Sequence, residues 1–451
     1  MLNKYIDSKA PVHFVGVGGV GMAGLARLLI QKGVEVSGSD RTGNVLTQDL
    51  AKLGSEIFVG HKRSQLPENI QWAVRTPAVQ EDNPEMEILR SRNIPVFARG
   101  DVLAAIANLR HTVAVAGAHG KTTTSAMLLH ILRTCGVNAG YAIGGETAYS
   151  GLVADAGDLR APFVVEADES DGTLMQHCPY IGILTHVEWD HVERFPTEAS
   201  LCECYRRFSQ QAEKIWVREE DELSVSICGD HPQVKTVGKG EHADLQVLES
   251  ISSPLGVEFR FRSQDKTIPC RVPLPGEHNA WNAALALGAA RELGVELEQA
   301  AESLRSYAGV GRRFQKKHMN GVTVVQDYAH HPTEVKAVLE SVAALEPRKV
   351  WCVFQPHRFS RTRHLLAEFA ESLNGVDHLA LIPVYGAFER PEQGADSEEL
   401  AVACREKGVE VKVWEDRQGL VEEWRDQVEE GDVVLIAGAG DVEELWWMWD
   451  R

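Results

Sequence analysis

The chain has 451 residues, 44% hydrophobic and 25% charged, which is ordinary globular composition at a length too great for one core, so two or three domains are expected. A formal net charge of −19 excludes nucleic acid as the main partner, because a phosphate backbone demands basic patches. The eight cysteines include no Cys-x-x-Cys pair, which excludes a zinc ribbon or disulfide frame, and no apolar run reaches the roughly 20 residues of a membrane span. With charges at Lys4, Asp7 and Lys9 there is no signal-peptide core either, and a cytoplasmic protein with reduced thiols is expected.

Val12 to Val15 is a short apolar strand that runs into Gly16-Val17-Gly18-Gly19-Val20-Gly21, followed by helical spacing from Met22 to Gln31 and a second strand, Val34 to Asp40. This is a βαβ opening with a glycine fingerprint and a carboxylate about 20 residues on, suited to a pyrophosphate and a ribose. Alternation continues through helical Thr47 to Leu53, extended Trp72 to Val74, helical Pro84 to Arg92, extended Pro95 to Phe97 and helical Val102 to Leu109. The pattern implies a parallel sheet with helices on its faces, and a first boundary falls near Arg110.

Val113 to Ala116 is the next strand, and it enters Gly117-Ala118-His119-Gly120-Lys121-Thr122-Thr123. Its Gly-x-x-Gly-Lys-Thr spacing is shorter than the usual phosphate loop, but the order of parts is that of a triphosphate cradle. Backbone N–H groups supply the cradle, Lys121 a cation, Thr122 a hydroxyl for Mg²⁺, and a helix follows over Ala126 to Thr134. Two further strands, Phe163 to Val165 and Ile181 to Thr185, deliver Glu166-Ala167-Asp168-Glu169-Ser170-Asp171 and His186-Val187-Glu188-Trp189-Asp190-His191 at their carboxyl ends. Carboxylates and a histidine beside a phosphate loop are hard-metal chemistry.

From Trp216 to Val272 shorter alternating runs predict a small antiparallel excursion. Beyond it, Asn279 and Asn282, three apart at the start of the Ala283 to Leu293 helix, can present two amides to a base edge, although a helix cap would account for one of them. Val310 to Phe314 is a basic hinge that marks the second boundary. The last segment restarts at Val322 to Val325, carries Asp327-Tyr328-Ala329-His330-His331-Pro332 and a helix from Thr333 to Leu345, and delivers Gln355 to Arg363 after the strand Val350 to Phe354. Arg358 and Arg361 there suit bidentate capture of a carboxylate or phosphate, with His357 and Arg363 in the same turn. Trp446 to Trp449 predicts a terminal helix packed on the sheet.

Taken together and in order, the glycine loop, Ala-His-Gly-Lys-Thr-Thr-Thr, Glu166 to Asp171, Asp190-His191, His278-Asn279 with Asn282, Arg312-Arg313-Phe314, Asp327 to Pro332, Gln355 to Thr362, Gly394 to Ser397 and Gly438 to Asp441 resemble the Mur ligases of bacterial peptidoglycan synthesis. The resemblance runs nearly end to end. It implies an α/β chain of three domains: a Rossmann-like UDP-sugar-binding domain over 1–110, a central P-loop ATPase domain over 111–310, and a Rossmann-like amino-acid-binding domain over 311–451 that closes over ATP. The activity it implies is ATP-driven joining of L-alanine to UDP-N-acetylmuramate through an acyl phosphate, by a monomer or homodimer. Attachment of a recycled tripeptide to the same sugar nucleotide is the alternative, and the oxidoreductase that the first fingerprint alone would allow leaves the Lys121 loop unexplained. A non-enzymatic nucleotide-gated module is a further alternative, which intact Lys121, Glu166 and His191 disfavour.

The resemblance also implies roles. Lys121 would hold the β- and γ-phosphates; Thr122 would hold one Mg²⁺, and Glu166 and His191, with Glu169 a weaker candidate, a second. Asn279 and Asn282 would read adenine, Asp327 the ribose, and Arg313 would meet phosphate. Tyr328, His330, His357, Arg358 and Arg361 would take the amino acid, while Gly18, Gly19, Val20, Gly21, Asp40 and Thr76, with Pro77 and Ala78, would serve UDP. The chain departs from the pattern at Ala118, His186 and Gln326, where threonine, asparagine and aspartate are usual. Ala118 implies a phosphate grip resting on backbone N–H groups and Lys121. No lysine lies between His191 and Lys214, so no carbamylated lysine is expected.

Overall fold

The structure, a computed structural model, describes residues 2–76, 78–147, 151–170, 172–192, 194–387 and 389–449; Pro77 and Asp171 of the motifs above lie outside the described residues. The chain packs as two compact units, Met1–Val247 with Phe261–Ile268 and Asn282–Ser303, and Leu248–Arg260 with Pro269–Trp281 and Leu304–Arg451.

The N-terminal α/β segment comprises α1 (Leu2–Asp7), β1 (Val12–Val15), α2 (Val20–Gln31), β2 (Val36–Asp40), α3 (Val45–Lys52), β3 (Glu56–Val59), β4 (Trp72–Arg75), α4 (Pro84–Ser91), β5 (Val96–Ala98) and α5 (Arg99–Asn108). Its strands are parallel in the order β3-β2-β1-β4-β5. The order reverses direction at β1, so the glycine loop after β1 opens into the crevice at the switch point. All four residues of β1 are buried, as expected of a parallel strand covered on both faces.

The central segment contains β6 (Thr112–Ala116), α6 (Lys121–Thr134), β7 (Gly140–Ala142), β8 (Ala154–Asp155), β9 (Phe163–Glu166), β10 (Ile181–Leu184), α7 (Glu198–Gln211), β11 (Lys214–Arg218), α8 (Glu222–Cys228), β12 (Val234–Gly238), β13 (Leu245–Ser253), β14 (Gly256–Ser263), β15 (Lys266–Val272), α9 (Glu277–Glu292) and α10 (Leu297–Ser303). The sheet order is β15-β14-β13-β12-β11-β10-β6-β9-β7-β8. β6 is flanked in parallel by β9 and β10, with Val115 beside Glu166 and Ala116 beside Leu184. The phosphate loop and both acidic segments therefore leave the sheet side by side at one edge.

Three expectations need correction here. The excursion is smaller than Trp216 to Val272: β11 and β12 continue the parallel sheet, and only β13 to β15, joined by two-residue links that parallel strands cannot use, form hairpins. α6 begins at Lys121 rather than Ala126, directly after Gly120 in the left-handed region. α9 begins at Glu277 rather than Ala283, because nothing after Gly276 breaks the helix, so Asn279 and Asn282 are helical residues and not caps.

The last segment holds β16 (Gln315–Met319), β17 (Val322–Asp327), α11 (Pro332–Ala343), β18 (Val350–Phe354), α12 (Phe359–His364), α13 (Leu366–Ser372), β19 (His378–Leu381), α14 (Ser397–Glu406), β20 (Val411–Val413), α15 (Arg417–Gln427), β21 (Val433–Ala437) and α16 (Glu444–Met448). The order is β16-β17-β21-β18-β19-β20, parallel except for the β16–β17 hairpin. Trp446 and Trp449 pack with Val324, Trp351 and Ile436 in its core, as the terminal-helix expectation required.

Candidate active site

The phosphate loop is shaped by two glycines. Gly117 and Gly120 have φ of 128° and 81°, values that side-chain-bearing residues avoid, and a β-carbon on Gly120 would stand 2.6 Å from Asn282 Oδ1. Gly120 caps α6 with no side-chain hydrogen bond, which leaves the first-turn N–H groups at Lys121, Thr122 and Thr123 as an anion-binding end. The loop is tied to β10, since the Ala118 N–H donates to His186 O at 2.7 Å. With the Ala118 N–H engaged by the carbonyl of His186, just after β10, the backbone N–H groups left to face an anion are those at the N-terminus of α6, beside Lys121. His119 Nε2 lies 2.7 Å from Glu188 Oε2.

Acidic groups converge on this loop. Lys121 Nζ is 3.0 Å from both Glu169 oxygens, Thr122 Oγ1 donates to Glu166 Oε2 at 2.9 Å, and Gly144 N donates to the same oxygen at 2.8 Å. Asp168, Glu169 and His191 each offer a ligand atom within 4.8 Å of the others. Burial opposes charge on Lys121, but Glu169, Asp168 and Glu166 outweigh it and raise its pKa, so the ammonium persists. Burial likewise opposes the Asp168 carboxylate, yet Lys121 and the Ser170 N–H hold it down to about 2, while burial pushes Glu169 up. The donor set, carboxylates with one hydroxyl and one imidazole around a cradle for anions, fits Mg²⁺. Sequence reasoning ranked Glu169 below Glu166; its pairing with Lys121 depends on the register of β6 and β9, which no local motif reports.

A cleft of about 350 Å³ adjoins this cluster. It is lined by Gly19, Val20, Gly21, Thr76 and Arg99 from the N-terminal segment and by Gly144, Glu166, Asp168, Thr173 and His177 from the central one. A β-carbon on Gly21 would stand 3.2 Å from Arg99 Nη1, so the glycine loop and a cation are adjacent. Asp40 Oδ2 accepts from Gly18 N at 2.8 Å and so shapes the loop. Sequence reasoning missed Arg99, Thr173 and His177, which carry no motif signal.

In the second unit, Asp327 accepts from Phe314 N and Ala329 N, both at 2.8 Å, and burial raises its pKa. Arg312 and Arg313 lie over the Tyr328 ring at 4.6 and 4.9 Å. The rings of Tyr328, His330 and His357 follow one another at 5.3 and 5.5 Å, and Tyr385, another residue the sequence did not flag, stacks on His357 at 5.6 Å. Arg361 is buried with Nη1 3.5 Å from His357 Nδ1, and Arg358 has φ of 71°, a strained value for a non-glycine residue. Arg363 is not part of this group. It turns away to Gly394 O and Glu399, where solvent can hydrate it. Asn279 Nδ2 donates to Pro275 O at 2.7 Å.

These features define a three-domain α/β protein of the P-loop nucleotide-binding class. Residues 11–111 match the catalytic domain of the Mur ligase family, 115–290 the Mur ligase middle domain and 312–440 the Mur ligase glutamate ligase domain. The chain is 39% identical to the UDP-N-acetylmuramate--L-alanine ligase of Anaeromyxobacter sp. (strain Fw109-5), over 98% of this chain and 97% of that protein, and 37% identical to the enzyme of the same name from Thermobifida fusca (strain YX), over 98% and 96%. The crystal structure of UDP-N-acetylmuramate-alanine ligase MurC from Thermotoga maritima superposes with a TM-score of 0.82 at 27% identity, covering 98% of both chains. The chain belongs to the Mur ligase family.

Proposed function

We propose that this protein joins L-alanine to the muramyl carboxylate of UDP-N-acetylmuramate at the expense of ATP, in the cytoplasm, as a step of peptidoglycan precursor synthesis. The observation that carries the proposal is the convergence of Lys121, Thr122, Glu166, Asp168, Glu169 and His191 beside a cleft that Glu166 and Asp168 line together with the first glycine loop and Arg99. A sugar nucleotide lying along that cleft has its pyrophosphate at the helix α2 N-terminus and its carboxylate toward the phosphate loop.

In this reading the carboxylate attacks the γ-phosphorus of ATP, releasing ADP and forming an acyl phosphate, and the amine of L-alanine then displaces phosphate. Lys121, held cationic, balances charge on the transferring group, and the N-terminus of α6 holds the phosphates in place. Thr122, Glu166 and His191, with Glu169, would hold Mg²⁺, which when bound supplies further neutralisation of phosphate oxygens. Met22, Leu25, Leu103 and Ile143 line the cleft and exclude water from the reactive anhydride. Asn279 and Asn282 serve adenine, Asp327 the ribose and Arg313 a phosphate. The group Tyr328, His330, His357, Arg358 and Arg361 receives L-alanine, with the arginines on its carboxylate. The corresponding domains are 1–110, 111–310 and 311–451.

The test is phosphate release from ATP, Mg²⁺ and UDP-N-acetylmuramate with single amino acids. Release dependent on L-alanine, and its loss in Lys121→Ala, is expected; release only with a tripeptide beginning L-alanyl-γ-D-glutamyl would assign the recycling reaction instead.

A further inference from the structure

Among the described residues that line the cleft, His177 is the one with a buried side-chain nitrogen or oxygen that lacks a hydrogen-bond partner. The residue is 2% exposed, its Nδ1 is buried without a hydrogen-bond partner, and the residue lines the cleft together with Thr173, Gly144 and Arg99. Its position is not accidental slack in a loop. Asn108 clamps the backbone on both sides of it, donating from Nδ2 to Gln176 O at 2.7 Å and accepting from Cys178 N at 2.8 Å, while Gln176 Nε2 donates to Asp101 Oδ1 at 2.7 Å. A rigid mount therefore holds a polar ring where an apolar one would be more stable, since a buried nitrogen without a partner is costly. Burial also pushes its pKa down to about 4, so the ring is neutral at physiological pH.

The cleft carries charges of both signs. Arg99 beside Gly21 and the α2 N-terminus suit an anion, and Glu166 and Asp168 suit a cation. A neutral imidazole adds little to either, but it matches the uncharged middle of a sugar nucleotide. We propose that His177 is a specificity-determining residue for the sugar nucleotide, exchanging one hydrogen bond with a neutral substituent of the sugar, a ring hydroxyl or the acetamide, rather than with pyrophosphate or carboxylate. This inference rests on the reading of the cleft as the UDP-sugar site.

The experiment compares wild type with His177→Phe, which keeps a ring and removes both nitrogens, and His177→Asn, which restores a neutral donor and acceptor. The Phe variant is expected to raise the KM for UDP-N-acetylmuramate about tenfold, with kcat and the KM values for ATP and L-alanine within about twofold, and Asn to recover most of the loss. Its thermal midpoint should stay level or rise, because the unpaired nitrogen is gone. If the Phe variant does not fold, His177→Leu carries the same comparison. Analogues lacking the 4-hydroxyl, or with the acetamide replaced by hydroxyl, locate the partner: the one that weakens wild type but not the Phe variant has lost the contact. An unchanged KM for UDP-N-acetylmuramate in a folded variant overturns the proposal while leaving the ligase reading intact. A wild type with no turnover on UDP-N-acetylmuramate overturns both.

Discussion

Asp221 shows how a single side chain sets the geometry next to the phosphate loop. Its Oδ2 accepts from Val187 N at 2.9 Å and Ser224 Oγ at 2.6 Å and lies 3.0 Å from His186 Nδ1, while its Oδ1 caps α8 through Ser224 N. Since His186 O in turn holds Ala118 N, Asp221 anchors the loop at one remove. Asp221→Ala should destabilise the protein by about 1–3 kcal/mol in urea unfolding, the combined effect of a lost cap and unpaired neighbours. Burial opposes this carboxylate, but His186, Ser224 and the Val187 N–H bring its pKa from 3.8 down to about 2. The folded value lies below the unfolded one, so the contribution is complete above 3.8 and is lost as pH falls toward 2; the gap between wild type and variant should close over that range. At the acceptor end, Arg361→Ala should raise the KM for L-alanine at least tenfold with a smaller change in kcat, measured by phosphate release; an unchanged KM would remove Arg361 from the amino-acid pocket. Lys121 and Glu166 were legible from their places in a motif, whereas Asp221 sits in the acidic run Glu219 to Glu222 and becomes distinctive only when β10 and α8 are folded together.

At the level of elements, the strand-loop-helix unit β6-loop-α6 carries the most specific geometry. Gly120→Ala should keep the fold and raise the KM for ATP at least tenfold, because the β-carbon meets Asn282 and the left-handed turn is strained. Far-UV circular dichroism beside ATP kinetics separates this from unfolding. The terminal helix α16 offers a contrast of neighbours: Trp446→Ala should cost about 3–5 kcal/mol, whereas Trp447→Ala should stay within about 0.5 kcal/mol in the same urea titration. Buried strands such as β1, β6 and β18 were readable because parallel strands give continuous apolar runs. β16, with Gln315, Lys316, Lys317 and His318, was not, since an edge strand held by a hairpin needs no apolar face. The early start of α9 escaped notice for a similar reason, its first turn being polar.

For the whole molecule, the proposed function has a chain of net charge −19 hold a nucleotide and a sugar nucleotide through a few local cations and helix N-termini. The order of motifs along the chain made three α/β segments legible, and parallel sheets explain why: each ligand-bearing loop follows a strand, so sequence order maps onto one face of each sheet. Which loops become neighbours depends on strand order, and that is why Arg99 and His177 emerged only in three dimensions and Glu169 stood below Glu166 until its pairing with Lys121 was seen. In the proposed function the muramyl carboxylate is activated as an acyl phosphate before L-alanine attacks. The direct measurement uses UDP-N-acetylmuramate labelled with oxygen-18 in that carboxylate, incubated with ATP, Mg²⁺ and L-alanine, followed by mass spectrometry of the phosphate. One labelled oxygen in each phosphate released is predicted; phosphate without label, or no release that depends on L-alanine, would contradict the account.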